Sequence, residues 1–204
     1  MIGILKYRAG NITSVSNALQ RLDAHYIVTD DIDQLNSCKA ILFPGVGHAA
    51  SAMNDLRKKG LDNWLTKTDK PVLGICLGMQ LLYESTEEGD TKTLGLIPGR
   101  LIKFDTDKAK VPHMGWNQIQ TLKQHPLLKS VSPDHYFYFV HSYYAPLNDY
   151  TLASCSYINS FAAVTAKDNF MGVQFHPEKS GQIGSLLIQN FLDIVQNGID
   201  ITLK

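Results

Sequence analysis

Pro71-Val72-Leu73-Gly74-Ile75-Cys76-Leu77-Gly78-Met79-Gln80 is the stretch that decides how this chain folds. The apolar run after Pro71 reads as a buried strand, with proline at the first position, where a strand tolerates it. It runs straight into a cysteine flanked by glycine at minus two and plus two, and Met79, Leu81 and Leu82 then follow a helical pattern. That is the layout of a nucleophile elbow, G-x-S-x-G in hydrolases, with cysteine in place of serine. The reactive residue sits on a strained turn, where a side chain on either flanking residue would crowd it. The helix expected next would aim its N-terminus at the thiol and favour thiolate. The Leu77 N–H would be free to donate to an oxyanion. The same residues also suit a small buried cysteine at a glycine-rich strand end, since free cysteine is among the most buried residue types.

Working outward, the first half alternates strand and helix. Ile2–Leu5, Tyr26–Val28 and Ala40–Phe43 read as strands, the last ended by Pro44-Gly45. Asn11 is placed as a helix N-cap, followed by Ile12, Val15, Leu19 and Leu22 at helical spacing. Helical segments at Ala49–Lys58 and Leu61–Thr66 lead to the elbow strand. This repetition predicts an α/β fold with a mostly parallel central sheet flanked by helices. From about Gly95 the texture changes to strand-like runs at Arg100–Phe104, Trp116–Gln120, Tyr136–Tyr143, Thr151–Tyr157, Phe161–Thr165 and Gly172–Phe175. These predict additional antiparallel strands in the second half, closed by an amphipathic helix over Gln182–Val195.

A thiol nucleophile needs a base, and His176-Pro177-Glu178 directly follows the run Gly172–Phe175. Strand ends are where parallel α/β enzymes place reactive groups. Glu178 is near enough in sequence to orient the His176 imidazole, which completes a thiol–imidazole–carboxylate set. Taken alone, His-Pro-Glu reads better as a capped surface turn with an ordinary histidine. Phe43-Pro44-Gly45-Val46-Gly47 is a glycine-bearing loop that, beside the elbow strand, would supply a second oxyanion donor from its main chain; by itself it reads as a tight turn. His141 also ends an apolar run and is read as a structural residue. Cys38 and Cys155 lack Cys-x-x-Cys partners and are read as packing residues, and no histidine spacing indicates a metal.

Composition narrows the class. The 204 residues carry 19 Lys+Arg against 19 Asp+Glu, so there is no net charge to draw nucleic acid or an anionic membrane. With 44% hydrophobic and 19% charged residues the chain has the balance of a globular protein, and residues 1–204 are expected to form one domain. The apolar start Met1–Leu5 meets Lys6 and Arg8 too soon for a signal peptide. No apolar run approaches the roughly 20 residues of a membrane helix. Three cysteines fit a reduced, cytoplasmic setting.

Elbow, His-x-Glu and the Pro-Gly-Val-Gly loop together resemble the class I (triad) glutamine amidotransferases, over essentially all 204 residues. The resemblance implies that Cys76, His176 and Glu178 are the triad that hydrolyses the glutamine side-chain amide. It implies substrate and oxyanion contacts from Gly45, Val46, Gly47, Leu77, Gln80, Ser142 and Tyr143. Pro44–His48, Pro112–Asn117, Phe139–Tyr143 and Gln174–Ser180 resemble the branch of that family serving histidine biosynthesis. There the implied partner is a (β/α)8-barrel cyclase, which uses the ammonia to form imidazole glycerol phosphate and AICAR. Asn11, Trp116, Tyr138 and Lys179 are interface candidates on the same basis, with an aromatic core position the alternative for Trp116 and Tyr138. Neither cofactor nor metal is implied. Another amidotransferase pathway, such as anthranilate synthesis, is the runner-up. A stand-alone cysteine hydrolase of related fold is a further alternative, but it would leave Gln80 and His113–Asn117 unexplained. A non-catalytic binding module would normally have lost the nucleophile or the base.

Overall fold

In the computed structural model, which describes residues 1–9 and 11–198, the short apolar runs of the first half become strands, all buried on both faces except the half-buried edge strand Tyr26–Thr29. They are β1 (Ile2–Leu5), β2 (Tyr26–Thr29), β3 (Ala40–Gly45) and β4 (Val72–Cys76). Between them lie α1 (Ile12–Arg21), α2 (Ile32–Ser37), α3 (Ala49–Lys58) and α4 (Leu61–Leu65), and α5 (Leu77–Gln80) follows β4. The second half contains β5 (Tyr83–Thr86), β6 (Thr91–Lys92), β7 (Ile97–Lys103), β8 (His113–Gln118), β9 (Gln120–Thr121), β10 (Tyr136–His141) and β11 (Tyr143–Tyr144). It ends with β12 (Thr151–Ser156), β13 (Ser160–Lys167), β14 (Phe170–Val173) and α6 (Gly181–Asn197).

The main sheet has eight strands in the order β2-β1-β3-β4-β14-β13-β12-β9. From β2 to β14 neighbouring strands run parallel, and from β14 to β9 they run antiparallel. The α/β reading therefore holds, and the added antiparallel strands lie both in that sheet and beside it. Beside it are a two-stranded ribbon of β8 and β10 and a four-stranded sheet β11-β7-β5-β6. Side chains alternate across the main sheet as the pleat requires. Ile4, Leu42, Leu73 and Ile75 pack with α1 and α6 residues such as Val15, Leu19 and Phe191. Leu5, Ile41, Phe43 and Val72 pack on the other face with Met53 and Leu56 of α3 and Leu61 and Leu65 of α4.

Several local expectations are corrected. The helix after the elbow is a single turn, because the chain leaves it for β5 at Tyr83. Its dipole at Cys76 is accordingly that of one turn, not of a full helix. The run Tyr136–Tyr143 is not one strand: β10 ends at His141, and Tyr143 begins β11, which pairs with β7 in a different sheet. Trp116–Gln120 likewise divides between β8 and β9, and β14 stops at Val173, before Phe175. Asn11 occupies the N-cap position of α1 but makes no capping hydrogen bond with its side chain. Helix α2 and strands β5 and β6 carry too few apolar residues to stand out by periodicity.

Candidate active site

Three adjacent parallel strands, β3, β4 and β14, end at the same edge of the sheet, which is where doubly wound folds bind ligands. Register fixes what meets there. Gly45 of β3 lies opposite Cys76 of β4, and Val173 of β14 lies opposite Ile75. Cys76 adopts φ 53° and ψ −108°, a backbone conformation that costs a non-glycine residue energy and that the surrounding packing must impose. The flanking glycines are sterically required. A Cβ on Gly78 would fall 1.7 Å from the Phe43 carbonyl oxygen, and one on Gly74 would fall 2.7 Å from the Met79 nitrogen.

Past β14, a turn of 3-10 helix at Pro177–Lys179 folds Glu178 back beneath His176. His176 Nδ1 and Glu178 Oε1 are 2.8 Å apart, with both side chains buried. Asn11 reaches the same oxygen from the start of α1, its Nδ2 donating to Oε1 at 3.2 Å. Burial alone would drive the His176 pKa down, but the adjacent Cys76 and Glu178 overcome it and hold it well above the ordinary histidine value. His176 Nε2 is buried and makes no hydrogen bond of ordinary geometry. The Ser180 hydroxyl accepts from Tyr138 N–H at 3.0 Å and donates to the His176 carbonyl at 2.7 Å, which locks this turn against β10.

Cys76 and His176 line one cavity of about 260 Å³, together with Val46, Gly47, Leu77, Gln80, Ser142 and Tyr143. Cys76, His176 and six of the seven expected oxyanion and substrate residues thus share one space, with Glu178 behind His176. Gly45 lies just behind it, where a Cβ would come within 2.4 Å of the Tyr7 hydroxyl. The loop after β3 is not set to assist an oxyanion: Val46 N–H donates to the Ala9 carbonyl at 2.5 Å. Gln80 is held from within, its Nε2 donating to the Tyr143 carbonyl and to Gln174 Oε1, each at 3.0 Å.

The sequence reading missed Glu88, which lines the cavity and accepts from Ala49 N–H at 2.7 Å. It belongs to the run Glu87-Glu88-Gly89-Asp90, which reads as an ordinary acidic turn and carries no distinguishing signal. His141 also lines the cavity, as part of a buried hydrogen-bonded chain. Its Nδ1 lies 2.8 Å from the Tyr143 carbonyl, which can only accept, so Nε2 is left to accept from His113 Nδ1 at 3.1 Å. Burial depresses His141 to about 3 and His113 to about 4, so neither carries a proton to spare near neutrality.

The class I glutamine amidotransferase sequence profile ("Glutamine amidotransferase class-I") matches residues 7–195. The chain belongs to the class I glutamine amidotransferases. This amidotransferase is 46% identical to the Bacteroides fragilis "Imidazole glycerol phosphate synthase subunit HisH" over 195 residues, 95% of this chain and 99% of that protein. To the Legionella pneumophila "Imidazole glycerol phosphate synthase subunit HisH 2" it is 45% identical over 196 residues, 95% of this chain and 98% of that one. Among solved structures, a "glutamine amidotransferase" crystal structure superposes with a TM-score of 0.75 at 16% identity, covering 96% of this chain and 98% of the other. A chain of PurLQS from Thermotoga maritima gives 0.69 at 18%, covering 95% and 98%; at these identities the likeness speaks for the fold alone. The interface candidates Trp116, Tyr138 and Lys179 gather outside the amidotransferase cavity, on the β8–β10 ribbon and the turn beside it. Trp116 pairs across the ribbon with Tyr138, and Lys179 Nζ lies 6.0 Å from the Tyr138 ring. Trp116 is 56% exposed, which decides against the core position. Asn11 lies apart from these three, with its side-chain amide donating to Glu178. Among the described residues no helix is long and apolar enough to cross a membrane.

Proposed function

We propose that this chain is the glutaminase half of an imidazole glycerol phosphate synthase. It hydrolyses L-glutamine to glutamate and ammonia and passes the ammonia to a (β/α)8-barrel cyclase bound to it as a heterodimer in the cytoplasm. The observation that carries the chemistry is Cys76, forced to φ 53° on the elbow and sharing a cavity with a His176 whose other nitrogen faces a buried carboxylate. Cys76 passes its proton to His176 Nε2, and the sulfur attacks the glutamine carboxamide carbon. His176 returns the proton to the leaving nitrogen, so ammonia departs and a thioester remains. His176 then takes a proton from water, the hydroxide opens the thioester, and glutamate and the thiol are regenerated. Glu178 holds the imidazole so that Nε2 is the nitrogen exchanging protons. Leu77 N–H and a main-chain N–H of the Gly45–Gly47 loop would stabilise the oxyanion. Gln80, Ser142 and Tyr143 would hold glutamine, and the Glu88 carboxylate would meet its α-ammonium group.

The cyclase docks, on this reading, against the ribbon face that presents Met114, Trp116, Tyr136 and Tyr138. Register puts these side chains on one face while Phe137, Phe139, His113 and His141 are buried on the other. Met114 and Tyr136 are 59% and 50% exposed, an apolar patch that a partner would cover. Val46 N–H, engaged by Ala9, must turn before it can serve the oxyanion, and one missing donor costs on the order of 10²–10³ in rate. Slow turnover by the lone chain and strong stimulation by the cyclase with its nucleotide ligand are therefore expected. The test is glutamine turnover with and without that cyclase. Cys76→Ala should abolish glutamine-dependent cyclisation and spare the ammonium-dependent reaction; loss of both, or of neither, would defeat the assignment. His176→Asn should be far more damaging than His141→Asn, and the reverse order would move the base.

A further inference from the structure

Gln174 is completely buried one residue past β14, and glutamine hydrolysis by the triad makes no use of its side chain. Its surroundings fix which end of the amide points where. The Tyr143 carbonyl can only accept, so the Gln80 group beside it is the NH₂. That NH₂ also faces Gln174, so Gln174 presents its oxygen there, at 3.0 Å. The remaining end of Gln174, its own NH₂, then lies 3.7 Å from Cys76 Sγ. On another side of the sulfur is the Val140 carbonyl at 3.8 Å, an acceptor suited to the S–H of the neutral thiol. The sulfur thus sits between an acceptor that serves the thiol and a donor that serves the thiolate. We propose that Gln174 acts on the nucleophile directly, donating a hydrogen bond to the Cys76 sulfur that strengthens when the proton leaves for His176. A hydrogen bond to an ionised acceptor is markedly stronger than one to a neutral acceptor. The chain Tyr143 carbonyl–Gln80–Gln174–Cys76 also joins one wall of the cavity to the reacting atom, so that order at Tyr143 is transmitted to the sulfur.

This inference rests on Cys76 being the nucleophile, and the experiment keeps the two apart. The titratable groups around the sulfur are His176 with Glu178 behind it, Tyr7, and His141, Tyr143 and Glu88 on the cavity lining. All of them stay intact in the variants. The full-length chain is alkylated with iodoacetamide across a pH series, and labelling at Cys76, Cys38 and Cys155 is read by mass spectrometry. Gln174→Met preserves length and removes the donor. It should slow Cys76 labelling at pH 7 about tenfold, move the pH midpoint of labelling upward, and lower kcat by a similar factor with little change in KM. Gln174→Glu keeps volume and the acceptor facing Gln80 and should move the midpoint the same way. In the unaltered chain, the Gln174 side-chain amide protons should shift in NMR spectra with the midpoint of Cys76 labelling. That measurement stands even where a variant fails to fold. A wild-type labelling profile in a folded variant, or amide protons indifferent to Cys76, would overturn the proposal. Labelling chiefly at Cys38 or Cys155 would overturn the nucleophile assignment, and this inference with it.

Discussion

Glu178→Gln separates the charge of the triad carboxylate from its geometry, and the structure dictates how. Two donors converge on Oε1, His176 Nδ1 at 2.8 Å and Asn11 Nδ2 at 3.2 Å, while Oε2 is buried with no partner. A glutamine at this position would therefore keep its carbonyl oxygen toward the two donors and put its NH₂ in the empty corner. The imidazole keeps the same tautomer, and only the charge is lost. Replacing a charged acceptor by a neutral one removes about 1–2 kcal/mol of hydrogen bonding, roughly a 5- to 30-fold fall in kcat. An NH₂ buried without a partner adds about 1–3 kcal/mol of destabilisation, seen as a lower Tm. Asn11→Ala removes the second donor. In the double variant the glutamine is free to turn its NH₂ toward Nδ1, which forces the proton to Nε2 and leaves that nitrogen unable to accept from the thiol. A wrong tautomer of this kind costs about 10⁴ in a related triad. The double variant should thus fall well below the product of the two single effects. The assay is partner-stimulated glutamine turnover, with Tm measured alongside. A single Glu178→Gln variant as inactive as His176→Asn, or a double variant that is merely multiplicative, would refute the reasoning.

Two further outcomes follow from the packing. His141 and His113, held down to about 3 and about 4 by burial, stay neutral in the fold, whereas the unfolded chain protonates them near 6.5. Between those values the unfolded state binds more protons, so stability falls as pH drops, by about 2 kcal/mol per histidine from pH 7 to pH 5. His176, raised rather than lowered, works in the opposite sense: its contribution is present at low pH and is lost as pH climbs through its elevated value. Imidazole NMR signals of His113 and His141 that titrate near 6.5 would contradict this. At the elbow, Gly78→Ala drives a methyl to 1.7 Å from the Phe43 carbonyl on β3. It should cost about 3 kcal/mol or more and abolish turnover by parting β3 from β4. Gly47→Ala meets nothing within 4 Å and is penalised only for its φ of 99°, about 1–2 kcal/mol. Equal Tm losses for the two would show that the elbow tolerates a side chain the geometry forbids.

What the sequence discloses, and what it withholds, divides along a physical line. Buried parallel strands have no choice but to be continuously apolar, so β1, β3 and β4 are legible as runs. A strained nucleophile cannot tolerate side chains two residues to either side, so Gly74-x-Cys76-x-Gly78 is legible as a pattern. His176 and Glu178 are two residues apart, and the contact between them is local enough to be anticipated. Other features depend on segments far apart in the chain, and no local pattern encodes them. Asn11 reads as a helix cap because asparagine caps helices, yet its amide reaches Glu178 across the fold. Tyr143 reads as the end of one long strand, yet the chain changes sheets at Ser142, and that corner is what gives its carbonyl to Gln80.

The Val46 amide belongs to this second group, and it bears most directly on the partner control proposed above. A glycine on either side makes a peptide rotation sterically cheap, which is visible in the sequence. Which orientation is the resting one depends on where the Ala9 carbonyl lies, and that is set by the segment joining β1 to α1. The same segment carries Asn11, whose amide donates to the Glu178 carboxylate. One connection therefore touches, through Ala9 and Asn11, both the proposed oxyanion loop and the carboxylate beside the proposed base. Any partner that shifts it by a fraction of an ångström alters the acceptor for Val46 and the restraint on Glu178 together. On the proposed function, hydrolysis and partner loading would be linked in this way without moving Cys76, whose flanking glycines are held by close backbone contacts.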